Sequence, residues 1–142
     1  MNTLLEKPAR LAPLARCDLH VLLIDDDSFQ LELISGILQG LDIHDITTAS
    51  SGTQALQAMN GQSSRFNLLV MDLHMPGMDG FQFMGELASK GYNGALIIVS
   101  GQSDDVMHAA SMVAKLRRFT LLGSVPKPVG RAALAQLINQ IA

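Results

Sequence analysis

Five short apolar segments, separated by stretches with helical periodicity, constrain the fold of this chain more than any other feature of its sequence. The segments are predicted to be buried strands, and they span residues 19–24, 46–49, 68–71, 95–99 and 121–125. Between them, apolar residues recur at the spacing of one helical face, as at Ile34, Ile37, Leu38 and Leu41. Parallel strands need crossover connections, which are usually helices, so this alternation favours a parallel sheet. The sequence therefore predicts an α/β fold: a doubly wound, five-stranded parallel sheet with five helices.

Several predicted helix ends carry residues that start or stop helices. Ser28 is expected to cap the first helix, and Asp27 to cap or solvate the same loop. Gly91 is expected to end a helix over residues 81–90, since glycine readily adopts the backbone angles of a helix terminus. Another helix is predicted over residues 104–118, where basic residues in the last turn suit the negative helix end.

Composition limits the classes of function. We interpret residues 1–18 as an N-terminal extension and residues 19–142 as one globular domain, which is long enough to bury a sizeable core. A net charge of −3, with one Tyr and no Trp, gives no basic surface for direct nucleic-acid binding. Cys17 is the only cysteine, which excludes an internal disulfide and a cysteine-built zinc site. Glu6 and Lys7 interrupt any secretory signal and no apolar run has the length of a membrane span, so we expect a cytoplasmic protein that does not enter the membrane.

Carboxylate, hydroxyl and amino groups occur directly after four of the apolar segments. Asp25 and Asp26 follow the first segment, Asp72 the third, Ser100 the fourth and Lys127 the fifth. Folds of this class bind ligands at the carboxyl ends of their parallel strands. We therefore expect these side chains to converge on one edge of the sheet.

Crowded carboxylates repel one another, and a divalent cation relieves that repulsion. Carboxylate oxygens favour Mg²⁺, which keeps several waters and takes one or two carboxylates. We expect Asp26 and Asp72 to bind Mg²⁺ directly and Asp25 to act through water. Lys127 and the hydroxyl of Ser100 could neutralise phosphoryl oxygens while Asp72 attacks phosphorus, which would give an aspartyl phosphate.

Four motifs carry a resemblance to a known family: Leu-Leu-Ile-Asp-Asp-Asp at 22–27, Val-Met-Asp-Leu-His-Met-Pro-Gly-Met-Asp-Gly at 70–80, Ile-Val-Ser-Gly at 98–101 and Val-Pro-Lys-Pro at 125–128. In this order and spacing they resemble the receiver domain of two-component response regulators. The resemblance implies a flavodoxin-like receiver fold of strand order 2-1-3-4-5. It also implies a phosphorelay protein that is not a turnover enzyme, apart from its own phosphorylation and dephosphorylation. A histidine kinase or phosphotransfer protein would donate the phosphoryl group, and an output domain or effector protein would respond. Homodimerisation is left open.

The resemblance assigns a role to each residue of the predicted site. The metal ligands would be Asp25, Asp26, Asp72 and the backbone carbonyl of His74. Asp72 would accept the phosphoryl group, while Ser100 and Lys127 would contact it. The peptide bond between Lys127 and Pro128 would be cis.

Two features depart from the family pattern. Ser124 occupies the position, three residues before Lys127, where the family usually has an aromatic side chain that turns inward on phosphorylation. The usual aromatic switch is therefore not expected. The long segment 104–120 and the ending Leu-Leu-Gly-Ser-Val-Pro-Lys-Pro at 121–128 resemble receivers that precede cyclic-di-GMP phosphodiesterase (EAL) domains.

Three other functions are alternatives to that of a phosphoacceptor switch. A phosphatase of the haloacid dehalogenase type also uses an aspartate nucleophile and Mg²⁺, but it needs a second aspartate where this chain has His74. A flavodoxin-type FMN binder needs a phosphate loop where Asp25 to Asp27 would repel phosphate. A non-phosphorylated interaction scaffold would not need the full set of acceptor-site residues.

Overall fold

The strands form one parallel sheet that is covered by helices on both faces. The computed structural model describes residues 15–60, 65–73, 77, 80–100, 104–117 and 119–142, with the backbone but not the side chains of 104–107. Within these residues the strands are β1 (His20–Ile24), β2 (Asp45–Ala49), β3 (Leu68–Asp72), β4 (Ala95–Ser100) and β5 (Thr120–Pro126). They pair in parallel in the order β2-β1-β3-β4-β5. The predicted fold class and strand order are confirmed.

One helix follows each strand, as expected. The helices are α1 (Ser28–Gly40), α2 (Gly52–Met59), α3 (Gly80–Ser89), α4 (Asp104–Leu116) and α5 (Arg131–Ile138). A short 3-10 helix at Arg16–Asp18 precedes β1. No helix in the described ranges combines the length and apolar character needed to cross a membrane.

The central strands are buried on both faces, which explains why they are continuous apolar runs. Every residue of β3 and of β4 is buried. In β3, Leu69 and Met71 pack into a core with α2, α3 and α4, while Leu68 and Val70 pack into a second core with α1 and α5. The alternation follows from the two-residue period of a strand. Helices on both faces leave the strand ends as the open edge of the sheet.

Asp27, and not Ser28, caps α1. The Oδ1 atom of Asp27 accepts a hydrogen bond of 2.9 Å from the backbone N–H of Phe29, and the extended backbone of Asp27 is that of a capping residue. Ser28 is the first residue of the helix. The prediction for Ser28 is wrong, because the cap lies one residue earlier, whereas the capping role suggested for Asp27 is confirmed.

Gly91 ends α3 as predicted. It has a φ of 82°, and the next residue, Tyr92, donates its backbone N–H to the carbonyl of Leu87 at 3.1 Å. This bond satisfies a carbonyl that the end of the helix would otherwise leave without a partner. The helix α4 is shorter than predicted, since its last residue is Leu116 and Arg117 lies in a turn.

A bulge in β5 changes which face of the sheet its side chains reach. The register with β4 shifts between Leu96 and Ile97, so that Ile97 pairs with Gly123. As a result Leu122 and Val125, three residues apart, pack into the same core with α1 and α5. Gly123 has a φ of 152°, and a Cβ atom there would lie 2.8 Å from Leu137 Cδ2 of α5. Glycine thus allows both the bulge and the close approach of α5.

Tyr92 fixes the chain between α3 and β4. Its side chain is buried, and its hydroxyl donates a hydrogen bond of 2.6 Å to the carbonyl of Ala95. The ring also packs against Phe119, with 6.0 Å between centroids. Burial raises the pKa of Tyr92 above its ordinary value of 10.0, because the phenolate would lose its hydration.

We expect Tyr92→Phe to lower the free energy of unfolding by about 1 kcal/mol at neutral pH, through loss of the hydrogen bond to Ala95. The raised pKa favours neutral Tyr92 in the folded protein. Its contribution to the free energy of unfolding is therefore complete below the pKa of tyrosine in the unfolded chain and is lost as pH rises above that value. The difference between wild type and Tyr92→Phe should therefore shrink from about pH 9 to about pH 11, in denaturant titrations at each pH. A difference that stays constant over this range contradicts the account.

Candidate functional site

The first acidic side chain of the site is buried directly after β1. Asp25 is 1% exposed, and its backbone N–H donates to the carbonyl of Ala49 at 3.1 Å, which continues the pairing of β1 with β2. Its Oδ1 atom accepts a hydrogen bond of 2.9 Å from the backbone N–H of Asp27. Asp26 lies between them and is exposed. The loop after β1 therefore holds one carboxylate inside the protein and presents the next one to solvent.

The next two polar side chains are the last residues of the central strands. Asp72 ends β3 and is 4% exposed, and Ser100 ends β4 and is 5% exposed. In the sheet, Asp72 pairs with Val99, the residue before Ser100. Apart from Asp25, these are the buried polar residues of the described chain. All three lie at the carboxyl edge of the sheet, which is the convergence that the sequence predicts.

Lys127 joins the two buried carboxylates from the end of β5. Its Nζ atom lies 3.1 Å from Asp72 Oδ2, to which it donates a hydrogen bond, and 3.2 Å from Asp25 Oδ2. The peptide bond between Lys127 and Pro128 is cis, as the family resemblance implies. One cation is thus placed between two carboxylates that are 47 residues apart in the chain.

Asp25, Asp72 and Lys127 form a group in which burial and neighbouring charges shift the pKa values. Loss of hydration raises the pKa of the Asp25 carboxyl, and the charge of Asp72 raises it further, while the Asp27 N–H and Lys127 oppose the shift. For Lys127, burial lowers the pKa, but the hydrogen bond and charge of Asp72, together with Asp25, outweigh it and leave a raised pKa. The group therefore contains an ammonium that stays protonated and a buried carboxylate with little hydration.

The three carboxylates fit a hard divalent cation. One carboxylate oxygen from each of Asp25, Asp26 and Asp72 lies within 4.8 Å of the other two. The Oδ2 atom of Asp25 is buried without a hydrogen bond from any described residue, although it lies close to Lys127 Nζ. The one ammonium of Lys127 is shared between two buried carboxylates, so a further cation at this group would be favourable. Carboxylate oxygens with room for waters on the exposed Asp26 side suit Mg²⁺.

The structure brings together most of the predicted site. Asp25, Asp26, Asp72 and Lys127 form one cluster, and Ser100 lies at the end of the neighbouring strand. His74, whose carbonyl was predicted to bind the metal, lies outside the described residues. The functional roles of these residues stay a prediction.

The sequence reasoning missed the contact that fixes the chain after Asp72. The N–H of Gly80 donates to the carbonyl of Leu73 at 2.9 Å. A Cβ atom on Gly80 would lie 2.6 Å from Leu73 Cδ2 and 2.9 Å from Leu73 Cα. Gly80 has no positive φ, unlike Gly77 with its φ of 82°, so close packing explains this glycine better than unusual backbone angles. The glycine itself was the only signal in the sequence.

Comparisons with known proteins agree with this geometry. The family model described as response regulator receiver domain matches residues 21–139. The two-component response regulator ARR12 of Arabidopsis thaliana is 31% identical over 86 residues, which is 61% of this chain and 14% of that protein. The chain is therefore similar to only a small part of this curated relative.

Solved structures show the same likeness. A response regulator receiver domain protein from Clostridium thermocellum has a TM-score of 0.73 and 27% identity, over 87% of this chain and 93% of that chain. The CheX-CheY-BeF3-Mg complex from Borrelia burgdorferi is similar in fold, with a TM-score of 0.76 and 20% identity, over 87% of this chain and 88% of that chain. Since the family model covers more than half of the sequence and the site lies at the matching strand ends, this chain belongs to the response regulator receiver domain family.

Proposed function

We propose that this chain is a phosphoacceptor switch of a two-component system, in which Asp72 accepts a phosphoryl group in a Mg²⁺-dependent reaction. The donor is a phosphohistidine on a histidine kinase or a phosphotransfer protein. The observation that carries the proposal is the position of Lys127 Nζ, 3.1 Å from Asp72 Oδ2 and 3.2 Å from Asp25 Oδ2. Membership of the receiver domain family supports it.

The reaction that we propose is a direct displacement at phosphorus. A carboxylate oxygen of Asp72 attacks the phosphorus atom, the P–O bond forms as the P–N bond of phosphohistidine breaks, and the imidazole leaves with the bonding electrons and takes a proton from solvent. Such reactions need the reacting atoms in line and the phosphoryl oxygens neutralised. Burial of Asp72 limits its hydration, and its fixed place at the end of β3 orients it.

Lys127 has a separate task before and after transfer. Its ammonium pairs with Asp72 in the structure and, being raised in pKa, stays charged. Once a phosphoryl group is attached to Asp72, the same ammonium can bind a phosphoryl oxygen, which carries more negative charge than the carboxylate did. The hydroxyl of Ser100 is the further donor that we assign to this group. Asp25, Asp26 and Asp72 would hold Mg²⁺, which when bound supplies positive charge to the phosphoryl oxygens.

The readout of phosphorylation is proposed to differ from that of receivers with a switching aromatic. Ser124 is exposed in β5 and pairs with Ile98 in β4, two residues before Ser100. The side chain of Ser124 lacks the apolar surface that would favour its burial in the protein. We therefore assign the change of interaction surface to movement of Ser100 at the end of β4.

The remaining proposals concern the location of the protein and the partner that responds to it. We propose a cytoplasmic location, which two-component phosphotransfer requires, and an output domain or separate effector as the responding partner. The resemblance of residues 121–128 to receivers before EAL domains supports a link to cyclic-di-GMP. Sequencing the reading frame beyond Ala142 tests that link: an EAL domain supports it and an unrelated output domain contradicts it.

The proposed function is tested by phosphorylating the purified protein with acetyl phosphate, phosphoramidate or a phosphohistidine-bearing phosphotransfer protein. We expect intact-mass spectrometry to show one phosphoryl group per chain with Mg²⁺ and none when EDTA removes the metal. Equal phosphorylation in EDTA would contradict the role of Mg²⁺. No phosphorylation by any of the three donors would contradict the phosphoacceptor function.

A further inference from the structure

A glutamine at the start of α1 holds a buried acceptor that makes no hydrogen bond. The Oε1 atom of Gln30 is buried from solvent and has no hydrogen-bond partner among the residues that the structure describes. The other atom of this kind in the described residues is Asp25 Oδ2, which has Lys127 Nζ beside it at 3.2 Å. A buried acceptor without a partner lowers stability, because it has lost its hydration without gaining a hydrogen bond. Folded proteins contain few such atoms, so Gln30 needs a physical explanation.

The position of Gln30 in α1 indicates which donor suits it. Asp27 is the N-cap of α1, and Gln30 is the third residue of the helix, after Ser28 and Phe29. In the arrangement known as a capping box, a glutamine or glutamate at this third position accepts a hydrogen bond from the backbone N–H of the N-cap residue. The N-cap side chain in turn accepts one from the first turn, as Asp27 Oδ1 does from Phe29 N–H at 2.9 Å. One half of the box is therefore formed, and the half that Gln30 would supply is open.

The N–H that would close the box is bonded to the metal group instead. Asp27 donates its backbone N–H to Asp25 Oδ1 at 2.9 Å. Burial raises the pKa of the Asp25 carboxyl, and this N–H is the largest single influence that opposes the rise. One donor thus stabilises ionised Asp25 and leaves Gln30 Oε1 without a partner. Two buried acceptors, on Asp25 and on Gln30, compete for a single N–H.

A bound cation changes the outcome of this competition. With Mg²⁺ held as proposed above, the charge of Asp25 is compensated, and its carboxylate depends less on the Asp27 N–H. The N–H then stabilises the protein more by bonding Gln30 Oε1, which otherwise stays unpaired. We propose that Gln30 is a positioning residue of the metal group: when Mg²⁺ binds, the Asp27 N–H leaves Asp25 Oδ1 and donates to Gln30 Oε1. This exchange rests on the Mg²⁺ site of the proposed function, and it couples that site to the first turn of α1.

The first test compares Mg²⁺ binding by Gln30→Met and by the wild type in isothermal titration calorimetry. Methionine resembles glutamine in length and helix propensity but has no amide oxygen. Loss of one hydrogen bond that forms only with Mg²⁺ should weaken Mg²⁺ binding about fivefold. Without Mg²⁺, Gln30→Met should melt at or above the wild-type temperature, because it lacks the unpaired buried oxygen. A purely structural role would instead lower the melting temperature and leave the dissociation constant for Mg²⁺ unchanged.

Two further variants show whether the acceptor oxygen is the cause. Gln39→Met is the matched control, because Gln39 is an exposed glutamine of the same helix, nine residues and about 14 Å away along its axis. It should bind Mg²⁺ as the wild type does. Gln30→Glu keeps an acceptor oxygen at the third position of the helix, as in other capping boxes. It should bind Mg²⁺ at least as tightly as the wild type.

A crystal structure of the wild-type protein with Mg²⁺ would show the exchange directly. We expect Asp27 N within about 3.2 Å of Gln30 Oε1 and no longer within that distance of Asp25 Oδ1. A Mg²⁺-bound structure that keeps the bond from Asp27 N–H to Asp25 would overturn the proposal and leave the Mg²⁺ site intact. Equal Mg²⁺ affinity of Gln30→Met and the wild type would do the same, as would equal weakening in Gln39→Met or in Gln30→Glu. No Mg²⁺ binding by the wild type, in calorimetry and in thermal melts, would overturn both this proposal and the Mg²⁺ site.

Discussion

Replacing Asp72 with asparagine will abolish incorporation of phosphate from acetyl phosphate and from a phosphohistidine donor. An amide oxygen is a far weaker nucleophile toward phosphorus than a carboxylate, so the acyl phosphate cannot form at this position. Asparagine keeps the size of the side chain and can still accept the hydrogen bond from Lys127 at the end of β3. The measurement is the amount of labelled phosphate retained per chain. We expect one group on the wild type and only background on Asp72→Asn.

Asp27→Asn is the control for this prediction. Asp27 is an acid at the same edge of the sheet, but its side chain caps α1 through Phe29 N–H, a role that asparagine fills equally well. We expect Asp27→Asn to be labelled like the wild type. Labelling of Asp72→Asn at the wild-type level, or equal loss of labelling in both variants, would disprove the assignment of Asp72.

The second large effect is stabilisation by Mg²⁺. A ligand that binds only the folded protein, at 100 times its dissociation constant, stabilises it by about 2.7 kcal/mol. For a domain of this size that corresponds to a rise in Tm of roughly 5–10 °C. We expect this rise for the wild type in thermal melts with saturating Mg²⁺. The double change Asp25→Asn and Asp26→Asn should abolish it, because two of the three carboxylates of the metal group are lost.

Without Mg²⁺ the same double variant should melt above the wild type. The pKa of Asp25 is raised by burial and by Asp72. At neutral pH its carboxyl is therefore ionised at a cost to the free energy of unfolding, and this cost is absent only below the pKa of aspartate in the unfolded chain. Removing the charge removes this penalty. Asp27→Asn should keep the full response to Mg²⁺. A double variant that still gains the wild-type increase would show that the ion binds elsewhere.

The sheet could be predicted because each of its strands is a distinct apolar run. β3 and β4 are buried on both faces, so their sequences show no polar alternation and are easily identified. The order of the strands came from the family resemblance, since periodicity alone cannot specify neighbours. The bulge at Gly123 was not predicted, because the sequence shows a glycine but not the approach of Leu137 that requires it.

The site could be predicted to the level of which residues converge. Strand ends in a parallel sheet meet at one edge, so Asp25, Asp72 and Lys127 could be grouped before their distances were known. Pairing of one ammonium with two carboxylates could not be predicted, since it depends on side-chain conformations. Assignment of the cap to Ser28 failed because Asp27 and Ser28 are both good capping residues and the exact start of the helix decides between them.

The most direct test of the account is to locate the phosphate chemically. The wild-type protein is phosphorylated with acetyl phosphate and Mg²⁺, reduced with borohydride, which converts an aspartyl phosphate to homoserine, and mapped by peptide mass spectrometry. We predict that homoserine replaces aspartate at Asp72 and at no other position. Conversion of another carboxylate with Asp72 unchanged, or phosphate found on Ser100, would contradict the account.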